Sequence, residues 1–399
     1  MTKKHIVFFA HSIGIGGIER SLIGLLAAIP AEHYDVDLIL LDSQGEFRSH
    51  IPPHVKVLDC PAAYRALALP MRQAIFSRNF LVGFSRLLAR IIICLRMSLG
   101  LVPGDVLTRS HRYALGFIPD FPGQYDLAIG FWEPHDIIAS KLKAKRKVAW
   151  IHTDYTALET GVAVKFEQKT WAAMDQIVAV STAVAESFSK VFPLLADRVI
   201  VIENLLSPAF VRAQAEIDYP PADVHKEPDT LILCSAGRYT YQKAFDLAAL
   251  ACPKLINQGI KFRWYILGYG PDEAMLRQLV ADHKLEDSFI LLGKRTNPHP
   301  YMKACDIYVQ PSRYEGKAVA VREAQMLGKA VLISDFPTAS SQLEHNVDGY
   351  IAPAGVDGLV ETIALLARDV ALRDRLAATA ASRDYGNLAE VEKVYQLIA

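Results

Sequence analysis

The stretch DIYVQPSRYEGKAVAVREAQMLGKAVLIS, Asp306–Ser334, contains a strand, a turn, a helix and a second strand in 29 residues' compass. DIYVQPS, Asp306–Ser312, holds β-branched and aromatic residues and reads as a strand. RYEGKA is turn material with Gly316 at its centre. AVAVREAQMLG carries helix formers from Ala318 to a stop near Gly328, and the strand AVLIS follows at once. Strands joined through a helix form a parallel pair. Two carboxylates stand eight positions apart in this unit. Glu315 lies in the turn, where it can face a ligand. Glu323 lies about two turns into the helix, at ~3.6 residues per turn. Its neighbours Ala320, Val321, Ala324 and Met326 put it on a partly buried face, where a carboxylate needs a partner. A ribose diol offers two donors; a nearby arginine would serve equally. The amides from Gly316 to Val319, at the helix entrance, are placed for an anion.

The same alternation extends in both directions. Upstream, HIVFFA, VDLILLD, YDLAIGF, KVAWIH, QIVAVS and RVIVIEN are strand-like runs separated by helical or irregular stretches. The pattern breaks over Asn204–Asp229, rich in proline and charge, and resumes with LILCSAGR, FRWYILG, FILLG, DIYVQPS and AVLISD. This predicts an α/β protein of two Rossmann-like, doubly wound parallel-sheet domains. Residues 1–205 form the first domain, 206–228 a linker and 229–385 the second, and a helix within 386–399 is expected to pack back on the first.

The 399 residues suffice for two domains, and 51% hydrophobic against 22% charged residues marks a globular chain. Forty-three basic and 43 acidic residues cancel, so no global field for nucleic acid exists. The five cysteines, Cys60, Cys94, Cys234, Cys252 and Cys305, are scattered and odd in number, as expected of reduced core thiols in a cytoplasmic protein. The opening MTKKHIVFFAHSIG runs into glycines before a signal-peptide apolar core can form.

Charge is uneven within that balance. Segment 60–115 carries Arg65, Arg72, Arg78, Arg86, Arg90, Arg96, Arg109 and Arg112 against Asp105 alone. Its centre, FLVGFSRLLARIIICLRMSLGLV, is apolar, but each arginine at a bilayer centre costs ~2.5–3.5 kcal/mol, which argues against a transmembrane span. Two readings fit. One is a basic, apolar helix lying on an anionic membrane surface; the other is a core helix with snorkelling arginines.

Several loops fall at strand ends, where open α/β sheets bind ligands. Gly14, Gly16 and Gly17 follow the first strand and open a helix. The loop resembles a dinucleotide fingerprint, with Asp42 at the end of strand two, but Glu19 replaces the third glycine and would repel a pyrophosphate. Asp35 and Asp37, a D-x-D string, precede a buried strand and read as two exposed strand-entry acids rather than metal ligands; no metal site is expected. Arg238 and Lys243 in GRYTYQKAF flank a strand-to-helix turn and could converge on one diphosphate, the first as a fork and the second as a point charge. Gly268 and Gly270 in LGYGPDE mark a second such turn. His152 ends the strand KVAWI, where a neutral imidazole could meet a sugar hydroxyl or a leaving phosphate or be purely structural; His11 has less to fix its direction.

Taken together, Arg238 with Lys243, the Gly268–Pro271 turn and YEGKAVAVREA resemble the family-4 retaining glycosyltransferases of the GT-B fold, whose E-x7-E motif Glu315 and Glu323 match. GGIERSLIGLLAAIPAEHYDVDLILL is similar to that family's N-terminal start, and EGKAVAVREAQMLGKAVLISDFPTASSQL to its bacterial members that build capsule, exopolysaccharide or related surface glycans. The resemblance implies that Arg238 and Lys243 hold the donor diphosphate, that Glu323 binds the ribose and Glu315 the donor sugar, and that amides at Gly316, Lys317 and Ala318 meet sugar and β-phosphate. It places Gly16 and Gly17 on the N-terminal side of the cleft and His152 near the reacting sugar. The family commonly has Phe-Gly where this chain has Lys317-Ala318, and Gly where it has Ala244.

The expected reaction is transfer of a sugar from a nucleotide-diphosphate sugar, a UDP-sugar by family frequency, to a saccharide hydroxyl, with retention and without cofactor or metal. The acceptor is expected to be lipid-linked, and the protein cytoplasmic and peripheral on the inner membrane face. The competing readings are a nucleotide-sugar 2-epimerase, which needs no acceptor, and a non-catalytic partner subunit.

Overall fold

The computed structural model describes residues 3–99, 112–155, 161–387 and 389–399. Of the arginine-rich segment, Asp105 and Arg109 lie outside these residues. Two compact units are present. The first comprises Met1–Gly14, Ile18–Glu203 and Val391–Ala399; the second comprises Ile15–Gly17 and Asn204–Glu390.

The first unit contains strands β1 (Lys4–Ala10), β2 (Tyr34–Leu40), β3 (Val55–Leu58), β4 (Tyr125–Gly130), β5 (Ala144–Ile151), β6 (Gln176–Ala179) and β7 (Val199–Val201). They form one sheet in the order β3-β2-β1-β4-β5-β6-β7, parallel throughout. Its helices are α1 (Gly17–Ala28), α2 (Ala62–Ala68), α3 (Met71–Ile75), α4 (Phe80–Ser98), α5 (His135–Lys141), α6 (Gly161–Ala172) and α7 (Thr182–Val191). β1 shows why a strand covered on both faces reads as a continuous apolar run: Ile6, Val7, Phe8 and Phe9 are all inaccessible to solvent.

The second unit begins with α8 (Pro208–Glu216) and continues through β8 (Leu231–Ala236), α9 (Phe245–Asn257), β9 (Phe262–Leu267), α10 (Glu273–Asp282), β10 (Phe289–Gly293), α11 (His299–Ala304), β11 (Ile307–Gln310), α12 (Val319–Met326), β12 (Ala330–Ser334), β13 (Tyr350–Ala352), α13 (Val356–Arg368) and α14 (Val370–Ser382). Its parallel sheet runs β10-β9-β8-β11-β12-β13. The chain reverses its direction of winding between β8 and β11, and between β1 and β4 in the first unit. Those are the switch points at which loops diverge and leave room for a ligand.

Three sequence expectations change. Residues 206–228 are not a bare linker: α8 forms there, with the Ser207 hydroxyl accepting from the Phe210 amide and Pro208 at its first turn. It packs on α11 and α12 within the second unit. The aperiodic sequence hid it because α8 buries only a narrow stripe, Val211 and Ala215. α4 is not a core helix, since Phe84, Leu88 and Leu95 face solvent. Cys94 on that helix is exposed, whereas the other four thiols are buried. The final helix, α15 (Glu390–Ile398), packs in the first unit, where the Tyr395 hydroxyl donates to the carbonyl of Ala28 at 2.9 Å and Arg146 to that of Leu397 at 3.2 Å.

Candidate active site

The strongest constellation sits at the switch point of the second unit, on the loops after β8 and β11. Beyond β8 the chain runs through Gly237 and the exposed Arg238, makes a short 3-10 turn over Tyr241–Lys243 and enters α9. Lys243 turns back over the strand end. A Cβ on Gly237 would stand 3.2 Å from its Cδ, so the glycine leaves room for the lysine stem. Beyond β11 the chain turns at Pro311–Ala318 and enters α12. The two loops meet where Lys243 Nζ lies 2.5 Å from Oε1 of Glu315. Glu315 is 5% exposed. Its Oε1 also accepts from the Ser312 hydroxyl at 2.6 Å and lies 3.5 Å from Gln310 Nε2, while Gln242 Nε2 donates to Oε2 at 3.4 Å. A buried carboxylate thus has a cation and three neutral donors around it, as its burial demands.

Arg313 clamps the same loops from the other side. Its guanidinium meets both oxygens of Asp246 at 2.9 and 2.5 Å, donates to the carbonyl of Tyr241 at 2.7 Å and lies over the Tyr241 ring at 4.0 Å. The planar fork is suited to all three contacts. Thr338 fastens the turn from below by donating to the Glu315 carbonyl at 2.8 Å.

Glu323 lies on α12, 1% exposed, with Nε2 of His299 at 3.1 Å. His299 is itself 2% exposed and its Nδ1 is 2.8 Å from Oδ1 of Asn297. The sequence reading offered an arginine or a ribose for this carboxylate; the structure supplies a histidine from α11, an element the sequence reading missed. NPHPYM carried the available signal, a proline at a helix entrance with a histidine inside it. Both carboxylates act on one buried phenol: the Tyr308 pKa is pushed well above its ordinary value by burial, then by Cys234, and further by Glu323 and Glu315. Glu315 and Glu323 therefore approach one region from a turn and from a helix.

The amides expected to receive an anion are partly engaged. The Ala318 amide donates to Oε1 of Gln342 at 2.6 Å, and the amide side of that Gln342 returns a bond to the Ala318 carbonyl at 3.3 Å. This corrects the reading of Ala318 as an anion donor in this state; the side chain of a residue 24 positions on was invisible in local sequence. Val319 is the first residue of α12 and is buried. Gly316 is buried and Lys317 half-buried. Gly268 and Gly270 serve backbone packing: a Cβ on Gly268 would fall 1.8 Å from the Gly237 carbonyl oxygen, and one on Gly270 2.4 Å from that of Tyr239. Tyr239 and Gly237 donate across to Tyr269 and Leu267, each at 2.9 Å, which fixes both loops together. Ala244 occupies the left-handed region at φ 56° and is fully buried. Glycine would meet no Cβ penalty there.

His152 belongs to the first unit. Its Nε2 is 2.8 Å from the carbonyl oxygen of Phe131, just past β4. A carbonyl only accepts, so Nε2 carries the proton and Nδ1 is left as an acceptor. Burial pushes the pKa down to about 4, against the opposing effect of the Phe131 bond. A neutral imidazole of this tautomer suits a hydroxyl donor rather than a phosphate. Gly16 and Gly17 group with the second unit although the rest of α1 groups with the first. Glu19 is buried in the first turn of α1. Asp35 is exposed and lies 3.6 Å from Lys3, but Asp37, expected exposed, is buried within β2, where the apolar sheet covers it and His5 meets it at 2.8 Å.

Residues 221–383, which contain all of this second-unit constellation, match the family described as "Glycosyl transferases group 1". Over that segment the chain is similar to the group 1 glycosyl transferases. It is 36% identical over 133 residues to the amylovoran biosynthesis glycosyltransferase AmsK of Erwinia amylovora, covering 31% of this chain and 33% of the relative. It is 29% identical over 170 residues to the lipopolysaccharide core biosynthesis glycosyltransferase LpsD of Rhizobium meliloti, covering 42% and 48%. The chain thus spans between about a third and a half of these relatives' length. Over 99% of both chains it superposes on the Anabaena protein Alr3699/HepE in complex with UDP-glucose, with a TM-score of 0.70 at 17% identity. Likeness at that identity shows the fold alone, a GT-B arrangement of two parallel-sheet α/β units.

Proposed function

We propose that this protein transfers a sugar from a nucleotide-diphosphate sugar, a UDP-sugar, to a hydroxyl of a lipid-linked saccharide during synthesis of a bacterial surface polysaccharide. The observation that carries this reading is the Lys243–Glu315 pair at the β8/β11 switch point. It sets a cation and a hydrogen-bonded carboxylate side by side where an open α/β sheet receives its ligand. The UDP-glucose complex of the Anabaena protein and the polysaccharide relatives favour the donor and product class.

The chemistry follows from charge. Breaking the bond between the anomeric carbon and the diphosphate oxygen leaves an oxocarbenium-like sugar and a diphosphate carrying the electron pair. Lys243 gives one N–H to Glu315, and its other two would meet phosphate oxygens. Arg238, on the same loop, would add a fork, and these cations would stabilise the leaving charge without a divalent metal. The acceptor oxygen bonds to the anomeric carbon from the face the diphosphate leaves, and its proton passes to the leaving phosphate oxygen. Configuration is retained and charge balances. Glu315, held by Lys243, Ser312 and the glutamines, would contact the donor sugar rather than attack it; Glu323 would bind the ribose. His152 Nδ1 would accept from a sugar hydroxyl. The protein would work on the cytoplasmic face of the membrane, where lipid-linked acceptors are displayed.

The test is the anomeric configuration of the first-formed product, read by proton NMR with purified protein, and the rate in excess chelator. An inverted product rules out the same-face mechanism. Activity abolished by chelator and restored by a divalent cation rules out the metal-free assignment of Lys243 and Arg238.

A further inference from the structure

The described part of the first unit carries an apolar surface that the chemistry above does not use. α4 is buried along Val82, Gly83, Ala89 and Ile93. A Cβ on Gly83 would fall 2.4 Å from the carbonyl carbon of Ala74, so α3 and α4 pack backbone to backbone along this stripe. At about 100° per residue, Phe80, Phe84, Leu88, Ile91 and Leu95 gather on the opposite side within an arc of roughly 80°. These residues are 56%, 57%, 48%, 48% and 59% exposed. Contiguous exposed apolar faces of this kind mark docking surfaces.

Charge identifies what docks. On the same helical wheel Arg96 and Arg90 lie about 80° beyond the two edges of this arc, one on either side, and both are exposed. Arg72 and Arg78, just upstream, are exposed as well, and no acidic residue occurs from Cys60 to Leu99. Arg86, by contrast, belongs to the buried side: its guanidinium donates to the carbonyls of Ala66 at 2.7 Å and Leu69 at 2.9 Å, pinning α4 to the end of α2. Among the described residues no helix is long and apolar enough to cross a membrane. With one side of α4 packed into its unit, only its other side can enter an apolar phase.

We infer that the outer face of α4 docks in the plane of an anionic phospholipid surface, its phenylalanines and leucines at the acyl boundary and Arg90 and Arg96 on head-group phosphates. Apolar face, basic margins and absent acids are together the pattern of an interfacial helix. A symmetric pairing of two copies through this face would bring arginine margins together and is disfavoured. The inference deepens the lipid-linked reading of the acceptor, yet its test needs neither donor nor acceptor, so either can fail alone.

The experiment is co-sedimentation of the whole protein with vesicles of phosphatidylcholine alone and with added phosphatidylglycerol, at low and high salt. The expected result is binding to the anionic vesicles that weakens with salt. Phe84→Glu combined with Leu95→Glu should lower the partition coefficient at least about tenfold. Arg90→Gln with Arg96→Gln should erase the preference for anionic lipid. Both pairs should leave the melting curve and donor-induced thermal shift unchanged, whereas Arg86→Gln should lower the melting temperature. Wild-type protein that stays in the supernatant with anionic vesicles overturns the inference. So does a solution dimer that Phe84→Glu converts to monomer without altering sedimentation with lipid.

Discussion

At the β8/β11 switch point, Lys243 and Glu315 hold opposite charges 2.5 Å apart with Ser312 and two glutamines around them. Beside the β1/β4 switch point, His152 is held neutral, bonded to the Phe131 carbonyl, with burial pushing its pKa down to about 4; His135 nearby is pushed down to about 4 by the same cause. The two sheets wind through their switch points in the same order, so topology does not make this difference. The loops do. The second unit presents cations suited to a diphosphate and the first presents an uncharged acceptor suited to a hydroxyl. Strand order decides where a site can lie, and loop side chains decide what charge it will take.

The largest effect should come from breaking the charged side of this comparison. Lys243→Met should lower kcat by about 10²–10³-fold, the scale seen when one transition-state donor is lost. It should also destabilise the protein by on the order of 3 kcal/mol, because Glu315 stays buried without its cation. Adding Glu315→Gln should restore the melting temperature but not the turnover. Steady-state rates and calorimetry on both variants check this, and near-normal turnover of Lys243→Met would remove the lysine from the phosphate role. Gly268→Ala should cost about 3 kcal/mol by urea denaturation, since its Cβ would enter the Gly237 carbonyl and part the two loops.

The neutral side can be tested with acid. A histidine lowered from 6.5 to about 4 excludes a proton that the unfolded chain binds. Its stabilising contribution is complete above pH 6.5 and is lost as pH falls toward about 4. At about pH 5 this amounts to about 2 kcal/mol per imidazole. Hydrogen exchange, corrected for intrinsic rate, should show β5 amides losing protection before those of β8; simultaneous loss would refute the contrast. The smallest effect is expected at Ala244→Gly. Relief of left-handed strain and the extra flexibility of glycine should nearly cancel, for a shift within about 1 kcal/mol and unchanged KM for donor.

Much of this was legible along the chain. Apolar runs at strand length with glycine turns at their ends fix two parallel sheets, because a parallel strand is covered on both faces and reads apolar throughout. β3 and β13 escaped that reading: Lys56 interrupts VKVL, and YIA stands between Gly349 and Pro353, so neither makes a continuous apolar run. Arg238, Lys243, Glu315 and Glu323 stood out because charged residues at strand ends and in apolar helices are chemically conspicuous. Their partners did not. Ser312, Gln310 and Gln242 are ordinary polar residues until folding stacks two loops, and His299 lies on a one-and-a-half-turn helix with no amphipathic period.

The sequence by itself therefore determined the fold class, the strand edge at which open α/β sheets take their ligands and the four charged residues to examine. Only the tertiary structure decided that Lys243 and Glu315 form one pair, that Glu323 meets a histidine, that Gln342 occupies the Ala318 amide and that α4 turns its phenylalanines outward. The division has a physical cause. Hydrophobic periodicity is local and survives in one dimension, whereas a hydrogen bond between residues 72 or 24 positions apart exists only after the sheet has brought their loops together.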